Sequence, residues 1–338
     1  MTESDAAYTP GGTTFGVVGT GAMGSGIAGS MLRAGYRVVV CDTRREAVDP
    51  MVAAGAGAAV DLADLAARCE VVAVVVLDDK QVSSVVGALL DDPGRIETII
   101  VSSTALPETV IKLGERAAEA GVAFVDAPVS GGAEKSALGT LTVLVGAGDA
   151  DMKRCSPIFD AIGSIVFHVG PVGAGSAGKL VNNLLAMGQY VVQVEAMQLA
   201  GAYGISEDAA VEFITVSAGD SHGIRTWGRY DRLRTTHTLA GTPAMYEMTA
   251  KDLRYAALAG GQRNVTLPIT AMLAEVIGPK LIARDALLAS RGGIRPEKLC
   301  RVCGQELAYP FLATGAHPQC RLAGPATPTD GGDRVSDV

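Results

Sequence analysis

The 338-residue sequence has no basic surplus: 28 Lys and Arg stand against 36 Asp and Glu, a net charge of −8. That balance argues against a nucleic-acid binder, which carries a positive footprint. It shows no secretory leader, since "MTESDAAYTPGG" is polar and acidic. It also lacks an unbroken apolar run of membrane-spanning length. The most apolar stretch follows Lys179 and is interrupted by Asn182, Asn183, Gln189, Gln193 and Glu195, so it reads as a buried helix. Six cysteines are too few to staple a chain this long. Cys41, Cys69 and Cys155 are scattered and read as reduced structural residues, which points to the cytoplasm. Charge is scarce in one place above all. Between Asp160 and Glu195 the only formally charged side chain is Lys179. An ammonium in such surroundings is costly, and no carboxylate lies near it in sequence.

The length suggests two domains, and 42 glycines suggest many tight turns. Residues 1–13 read as a disordered tail. From Thr14 the pattern is strand, glycine turn, helix, strand: Phe15–Val18, then a helix over Ser25–Ala34 stopped by Gly35, then Arg37–Cys41. Further strands are expected at 71–77, 98–103 and 122–128. Continuous Val/Ile runs between helices imply a parallel sheet buried on both faces. "GTLTVLVGAG" and "SIVFHVG" add two strands, read as antiparallel. From Ala174 to about Ser290 the β signal vanishes. One helix from near Ser176 to about Gly204 would span roughly 40 Å at 1.5 Å per residue. The expected boundaries are 14–174 for an α/β dinucleotide-binding domain, 175–295 for a helical domain and 296–338 for a separate tail.

Gly19-Thr20-Gly21-Ala22-Met23-Gly24 is G-x-G-x-x-G, placed after a strand and before a helix. Gly19 permits the tight turn, Gly21 the approach of a pyrophosphate, and Gly24 close helix–strand packing. The phosphates would rest on the helix N-terminus. Asp42 ends the next strand, where a carboxylate binds ribose hydroxyls and repels a 2′-phosphate. NAD is therefore favoured over NADP, although Arg44 or Arg45 just beyond would suit that phosphate. Ser130-Gly131-Gly132 follows the last parallel strand, at the edge where such sheets bind ligands. It offers a hydroxyl and backbone N–H groups to a carboxylate, or it is an ordinary glycine loop. Lys179 and Asn183 share a helix face at the start of the helical domain, near the expected cleft. Desolvation would favour the neutral amine and fit it for proton exchange; the alternative is a lysine snorkelling at a helix start.

Four blocks, "GVVGTGAMGSGIAGSMLRAGY", "DAPVSGGAEKSALGTLTVLVG", "GPVGAGSAGKLVNN" and "KDLRYAALAGGQRNVTLPIT", resemble the β-hydroxyacid dehydrogenases, the group of 3-hydroxyisobutyrate dehydrogenase and tartronate semialdehyde reductase. The resemblance covers about residues 14 to 290. It implies a Rossmann domain followed by an all-α domain, as in 6-phosphogluconate dehydrogenase, and dimers or tetramers built through the helices. It puts the acid–base role on Lys179, substrate orientation on Asn183, and carboxylate binding on Ser130, Gly131 and Gly132. Dinucleotide contacts fall on the glycine turn, Asp42, Thr43, Leu77, Asp78, Thr104 and Lys251. Lys251 would otherwise pair with Glu247 on its own helix. Two departures stand out: Asp78 replaces a frequent proline, and Asn182 replaces the histidine of the decarboxylating sugar-phosphate enzymes. The retained Lys179 also separates the chain from the imine-reducing branch.

The tail carries Cys300, Cys303, His317 and Cys320, spaced C-x2-C-x13-H-x2-C. This pattern resembles a small zinc ribbon, with four ligands and no open position. The expected protein is an NAD-dependent dehydrogenase of small β-hydroxyacids, with structural zinc in its tail. Its rivals are a decarboxylating or imine-reducing relative, and a non-catalytic dinucleotide module that grips a partner through the tail.

Overall fold

The computed structural model describes residues 6–233 and 244–290. The chain begins with β1 (Thr14–Val18), α1 (Ala22–Arg33), β2 (Arg37–Cys41), α2 (Arg45–Ala53), β3 (Gly57–Ala58) and α3 (Leu62–Arg68). It continues through β4 (Val71–Val74), α4 (Asp79–Asp91), β5 (Thr98–Val101), α5 (Pro107–Glu119) and β6 (Ala123–Asp126). These six strands are parallel in the order β3-β2-β1-β4-β5-β6, the doubly wound arrangement of dinucleotide-binding folds. The unbroken valine runs follow from burial on both sides. Val71 and Ala73 face one core with Ile27, Met31 and Phe159, whereas Val72 and Val74 face the other with Leu65, Val86 and Leu89. Each of these side chains larger than alanine contributes about 1.5–3 kcal/mol when fully buried.

β7 (Val129–Ser130), α6 (Gly132–Leu138), β8 (Leu141–Gly146), α7 (Asp149–Ile162) and β9 (Gly163–Gly170) extend the sheet to nine strands. β8 is antiparallel to β6 and β7, and β9 is parallel to β8. Of the three added strands, β8 and β9 run against the first six, as expected, but alongside each other, because α7 provides a crossover between them.

Several local expectations are corrected. α1 starts at Ala22 rather than Ser25, so the glycine turn forms its first turn. Gly24 and Gly26 are poor helix formers held by tertiary contact. A Cβ at Gly26 would lie 2.4 Å from Ser136 Oγ of α6. The strand expected over 71–77 ends at Val74. Beyond it the Val76 N–H is taken by Ser103 Oγ and the Leu77 N–H by Gln81 Oε1. The expected disordered tail is, over its described residues, anchored through Tyr8 and Thr13, with the residues around them exposed. Tyr8 is buried, its hydroxyl lies 2.6 Å from Thr98 Oγ1, and the Arg154 guanidinium stacks 4.4 Å from its ring centroid.

α8 (Ala174–Ala202) is a single helix of 29 residues. Helices Glu207–Ile214, His222–Arg225, Met245–Gln262 and Pro268–Ser290 follow. Packing divides the described chain inside two of these helices. One unit runs to Gly188 and takes in the helix from Met245 and the last helix as far as Val276. The other starts at Gln189 and resumes at Ile277.

The second unit is built around Met197, Ala210, Val211, Ile224 and the half-buried Trp227. Beside them Arg284, almost fully buried, pairs with Glu207 at 2.7 Å and Asp231 at 2.9 Å and lies over the Trp227 ring. Further donors reach the same two carboxylates. Trp227 Nε1 donates to Glu207 at 2.7 Å and the Tyr190 hydroxyl donates to Asp231 at 2.9 Å. Arg284→Met would leave both carboxylates buried without their cation. It is expected to destabilise the protein by about 3–5 kcal/mol in urea unfolding. A loss under about 1 kcal/mol would show that this network does not support the unit.

Candidate active site

The sheet's strand order reverses between β1 and β4, and the glycine turn lies at their carboxyl ends. Gly19 has φ +92°, and a Cβ there would fall 2.3 Å from the Val75 carbonyl oxygen. A Cβ at Gly24 would fall 1.8 Å from the Gly19 carbonyl oxygen. Both positions therefore exclude any side chain. Gly21 differs: the nearest atom to its Cβ position is an Arg44 guanidinium nitrogen at 4.0 Å. Its open side lies before the first N–H groups of α1, at Ala22 and Met23, which have no intrahelical acceptor. This is the cradle a dinucleotide pyrophosphate fits.

Asp42 stands beside the turn. Its Oδ2 accepts the Thr20 N–H at 2.8 Å, and its Oδ1 accepts the Arg44 N–H at 2.9 Å. Burial pushes its carboxyl up, but the Arg44 and Thr20 N–H groups and the Arg44 guanidinium outweigh this and hold it below its ordinary value. Thr43 is exposed next to it. The two arginines part company. Arg44 folds over Asp42 at 3.3 Å, while Arg45 pairs along the exposed face of α2 with Asp49.

The loops after β4 and β5 are clamped by a residue the sequence reading missed. Asp79 takes the Leu106 N–H and the Thr109 hydroxyl, both at 2.8 Å, and gives its own N–H to the Tyr255 hydroxyl at 3.2 Å. Half-buried Thr104 lies on the loop this clamp holds. Asp78 caps α4, accepting the Gln81 N–H at 2.8 Å. Leu77 offers its carbonyl oxygen to Lys251 Nζ at 2.9 Å. Lys251 also pairs with Asp252 at 3.2 Å and not with Glu247, which caps its own helix by accepting the Ala244 N–H.

Lys179 and Asn183 lie one turn apart on α8. Asn183 donates to Asp252 at 2.7 Å and accepts from Asn182 at 3.1 Å. Asp252 was also missed; it hides in the sequence behind its neighbour Lys251 and lies 69 residues from its partner. Among the described residues no hydrogen bond or ion pair ties Lys179 Nζ. Burial lowers the pKa of its ammonium, the Asp252 charge pulls it back up, and Lys251 lowers it again. The net direction is down, so the neutral amine becomes accessible nearer to neutral pH. Ser130 sits in the β7–β8 ladder opposite Thr142. Gly131 and Gly132 follow with φ +139° and +76°, and a Cβ at Gly132 would meet nothing within 4 Å. That open backbone suits a carboxylate. Among the described residues no three His, Cys, Asp or Glu side chains gather to hold a metal. Cys300, Cys303, His317 and Cys320 lie outside the described residues.

Two family models match the chain. The NAD binding domain of 6-phosphogluconate dehydrogenase matches residues 14–170, and the NAD-binding domain of NADP-dependent 3-hydroxyisobutyrate dehydrogenase matches residues 173–285. The chain is 34% identical over 269 residues to 2-(hydroxymethyl)glutarate dehydrogenase of Eubacterium barkeri, covering 78% of this chain and 87% of that one. It is 35% identical over 247 residues to NAD-dependent L-serine dehydrogenase of Pseudomonas aeruginosa, covering 70% and 81%. A solved structure of Mycobacterium tuberculosis 3-hydroxyisobutyrate dehydrogenase with L-serine superposes with a TM-score of 0.71 at 25% identity, covering 81% and 94%. The chain belongs to the β-hydroxyacid dehydrogenase family. It is a nicotinamide-dependent hydroxyacid dehydrogenase.

The two glycines of the turn should separate binding from folding. Gly24→Ala should cost stability as well as dinucleotide affinity, about 1–3 kcal/mol for the overpacking. Gly21→Ala should leave Tm nearly unchanged and weaken the dinucleotide alone. Calorimetry and titration with NADH check this; a Gly21→Ala protein with wild-type affinity would remove the cradle assignment.

Proposed function

We propose that Lys179 is the acid–base group of this dehydrogenase and that its substrate is a small acid bearing a carboxylate and a β-hydroxyl. The observation that carries the reading is a half-buried amine on α8 with no hydrogen bond or ion pair among the described residues, one turn from Asn183, which Asp252 holds at 2.7 Å. The dinucleotide, when bound, supplies the hydride acceptor. Lys179 takes the hydroxyl proton during oxidation and returns it to the carbonyl in reverse. Asn183, its amide set by Asp252, orients the substrate oxygen. Ser130 and the N–H groups of Gly131 and Gly132 grip the carboxylate and so fix distance and angle for transfer. Gly19, Gly21, Ala22, Met23 and Gly24 hold the pyrophosphate. Asp42 and Thr43 take the ribose, and Leu77, Thr104 and Lys251 line the nicotinamide side. Asp78 contributes there through its backbone, since its carboxylate caps α4.

NAD is the preferred dinucleotide, because an ionised Asp42 repels a 2′-phosphate. The L-serine relative's NAD dependence supports this; Arg44, already drawn to Asp42, is the residue through which NADP would enter. The exposed Val181, Leu185, Val192 and Leu199 of α8 support a homodimer or homotetramer. Among the described residues Cys41, Cys69 and Cys155 are free thiols, which supports a reducing compartment, the cytoplasm. The spacing of Cys300, Cys303, His317 and Cys320 supports one structural zinc per chain; metal analysis of the purified full chain that finds none ends that part of the reading.

Lys179→Ala should lower kcat for hydroxyacid oxidation by about 10²–10⁴-fold, with NADH affinity little changed. A variant with near-normal kcat overturns the assignment. Asp252→Asn gives a signed test. Oxidation needs the neutral amine, and the Asp252 charge favours the ammonium. Removing that charge should move the acidic limb of the kcat/KM profile to lower pH; an unmoved limb, or one moved upward, rejects Lys179 as the titrating group.

A further inference from the structure

Asp126 ends β6 and is completely buried. Both of its oxygens serve one place. Oδ1 accepts the Gly173 N–H at 2.8 Å, and Oδ2 accepts the Ser176 N–H at 2.6 Å. These donors bracket Ala174, the first residue of α8. A helix start exposes N–H groups with no partner in the helix, and a carboxylate there also meets the positive end of the helix dipole. Among the described residues Asp126 has no cationic partner, so hydrogen bonds from the start of α8, and not an ion pair, hold a carboxylate in a dry site. That arrangement is costly unless both oxygens are satisfied.

The surroundings leave no slack. A Cβ at Gly146 would lie 2.2 Å from Asp126 Oδ1. A Cβ at Gly175 would lie 2.5 Å from the Leu144 carbonyl oxygen and 2.6 Å from that of Asp126. The backbones of β6, β8 and α8 therefore meet without an intervening side chain. Lys179 is three residues beyond Ser176, about 4.5 Å along the helix axis. With no hydrogen bond among the described residues, its amine stands where the helix start puts it. In the other direction the chain leaves Asp126 and reaches Ser130 four residues later. Asp126 pairs with Gly146 of β8, and Ser130 pairs with Thr142 of the same strand.

We propose that Asp126 is a positioning residue: its carboxylate fixes where α8 begins, and thereby where the Lys179 amine stands relative to Ser130, Gly131 and Gly132. The proposal rests on Lys179 being the acid–base group. It requires a carboxylate and not merely a residue of that size. Asparagine offers one oxygen and one NH2, so one of the two N–H donors at the helix start would face another donor. A displacement of about 1 Å at a reacting atom costs on the order of 10²-fold in rate.

The test compares Asp126→Asn, Gly175→Ala and Lys179→Ala in the full chain. Gly175→Ala keeps the carboxylate but must push α8 away from β6 and β8 through backbone contact. The substrate is whichever of L-serine, L-threonate, 3-hydroxyisobutyrate and 2-(hydroxymethyl)glutarate the wild type oxidises fastest, with and without deuterium on the carbinol carbon. Rates are expressed per NADH-binding site. Asp126→Asn and Gly175→Ala are each expected to lower kcat by about 10–10²-fold and to raise the deuterium effect on kcat, with NADH affinity within about twofold of wild type. A residue that only stabilises the fold would change the number of binding sites and leave the rate per site intact. A rate per site within about threefold of wild type in Asp126→Asn overturns the proposal. So does an Asp126→Asn protein with no NADH-binding sites, which would make the residue a requirement of folding. A near-normal Lys179→Ala rejects the acid–base reading itself; an impaired Lys179→Ala beside a normal Asp126→Asn rejects only the positioning role.

Discussion

The in-register pairing of the parallel strands is the constraint on which the other features depend. Cys41 pairs with Val18, Val18 with Val74, Val74 with Val101, and Val101 with Asp126. This single rung crosses five strands. The residues that step off it, Asp42, Gly19, Val75, Ser102 and Ala127, leave the sheet at one level. Parallel strands all present their carboxyl ends to one edge, so the rung converts five separate loops into one working surface. At Gly16 the pairing is tight enough that a Cβ would meet Cys69 Sγ and Val72 Cγ2 at 3.1 Å. A slip of one residue would turn every valine to the wrong core and misplace every loop at once.

The chain handles buried charge in two opposite ways. Around Arg284 the strong groups answer one another: two carboxylates, an indole N–H and a phenol meet the guanidinium or its partners. Such a satisfied network holds one state and resists change. Around Lys179 the set is left open. Asp252 serves Asn183 and Lys251, and among the described residues no hydrogen bond reaches the Lys179 amine. A proton can join or leave that amine without breaking a bond to the protein.

Much of this was readable before any coordinates. G-x-G-x-x-G with Asp42 at the next strand end marks a dinucleotide turn, because each position has a local steric reason. The valine runs announce a sheet covered on both faces, and the loss of β signal after Ala174 announces helices. What stayed hidden depends on partners far along the chain. Asp126 meets α8 about fifty residues away, Asp252 meets Asn183 across 69, and Tyr255 reaches Asp79 across 176. Periodicity says nothing about such pairs. Lys251 shows the limit of local rules: the alternative they offered it was Glu247 one turn away, while the fold supplied the Leu77 carbonyl and Asp252. The strand at 71–77 was overrun for a related reason. Val75 and Val76 are as apolar as their neighbours, and only the Ser103 hydroxyl, from another strand's end, reveals that the ladder has stopped.

The crossing of α1 and α6 has an evolutionary side. α1 grows from the dinucleotide turn and α6 from the glycine loop after β7. They touch where Gly26 leaves no room beside Ser136, whose hydroxyl donates to the Met23 carbonyl and whose own carbonyl accepts from Ser30. Neither helix can drift alone. A lineage that enlarges one must reshape the other in the same step. A substitution that widens one helix at this contact therefore shifts the dinucleotide turn and the glycine loop together.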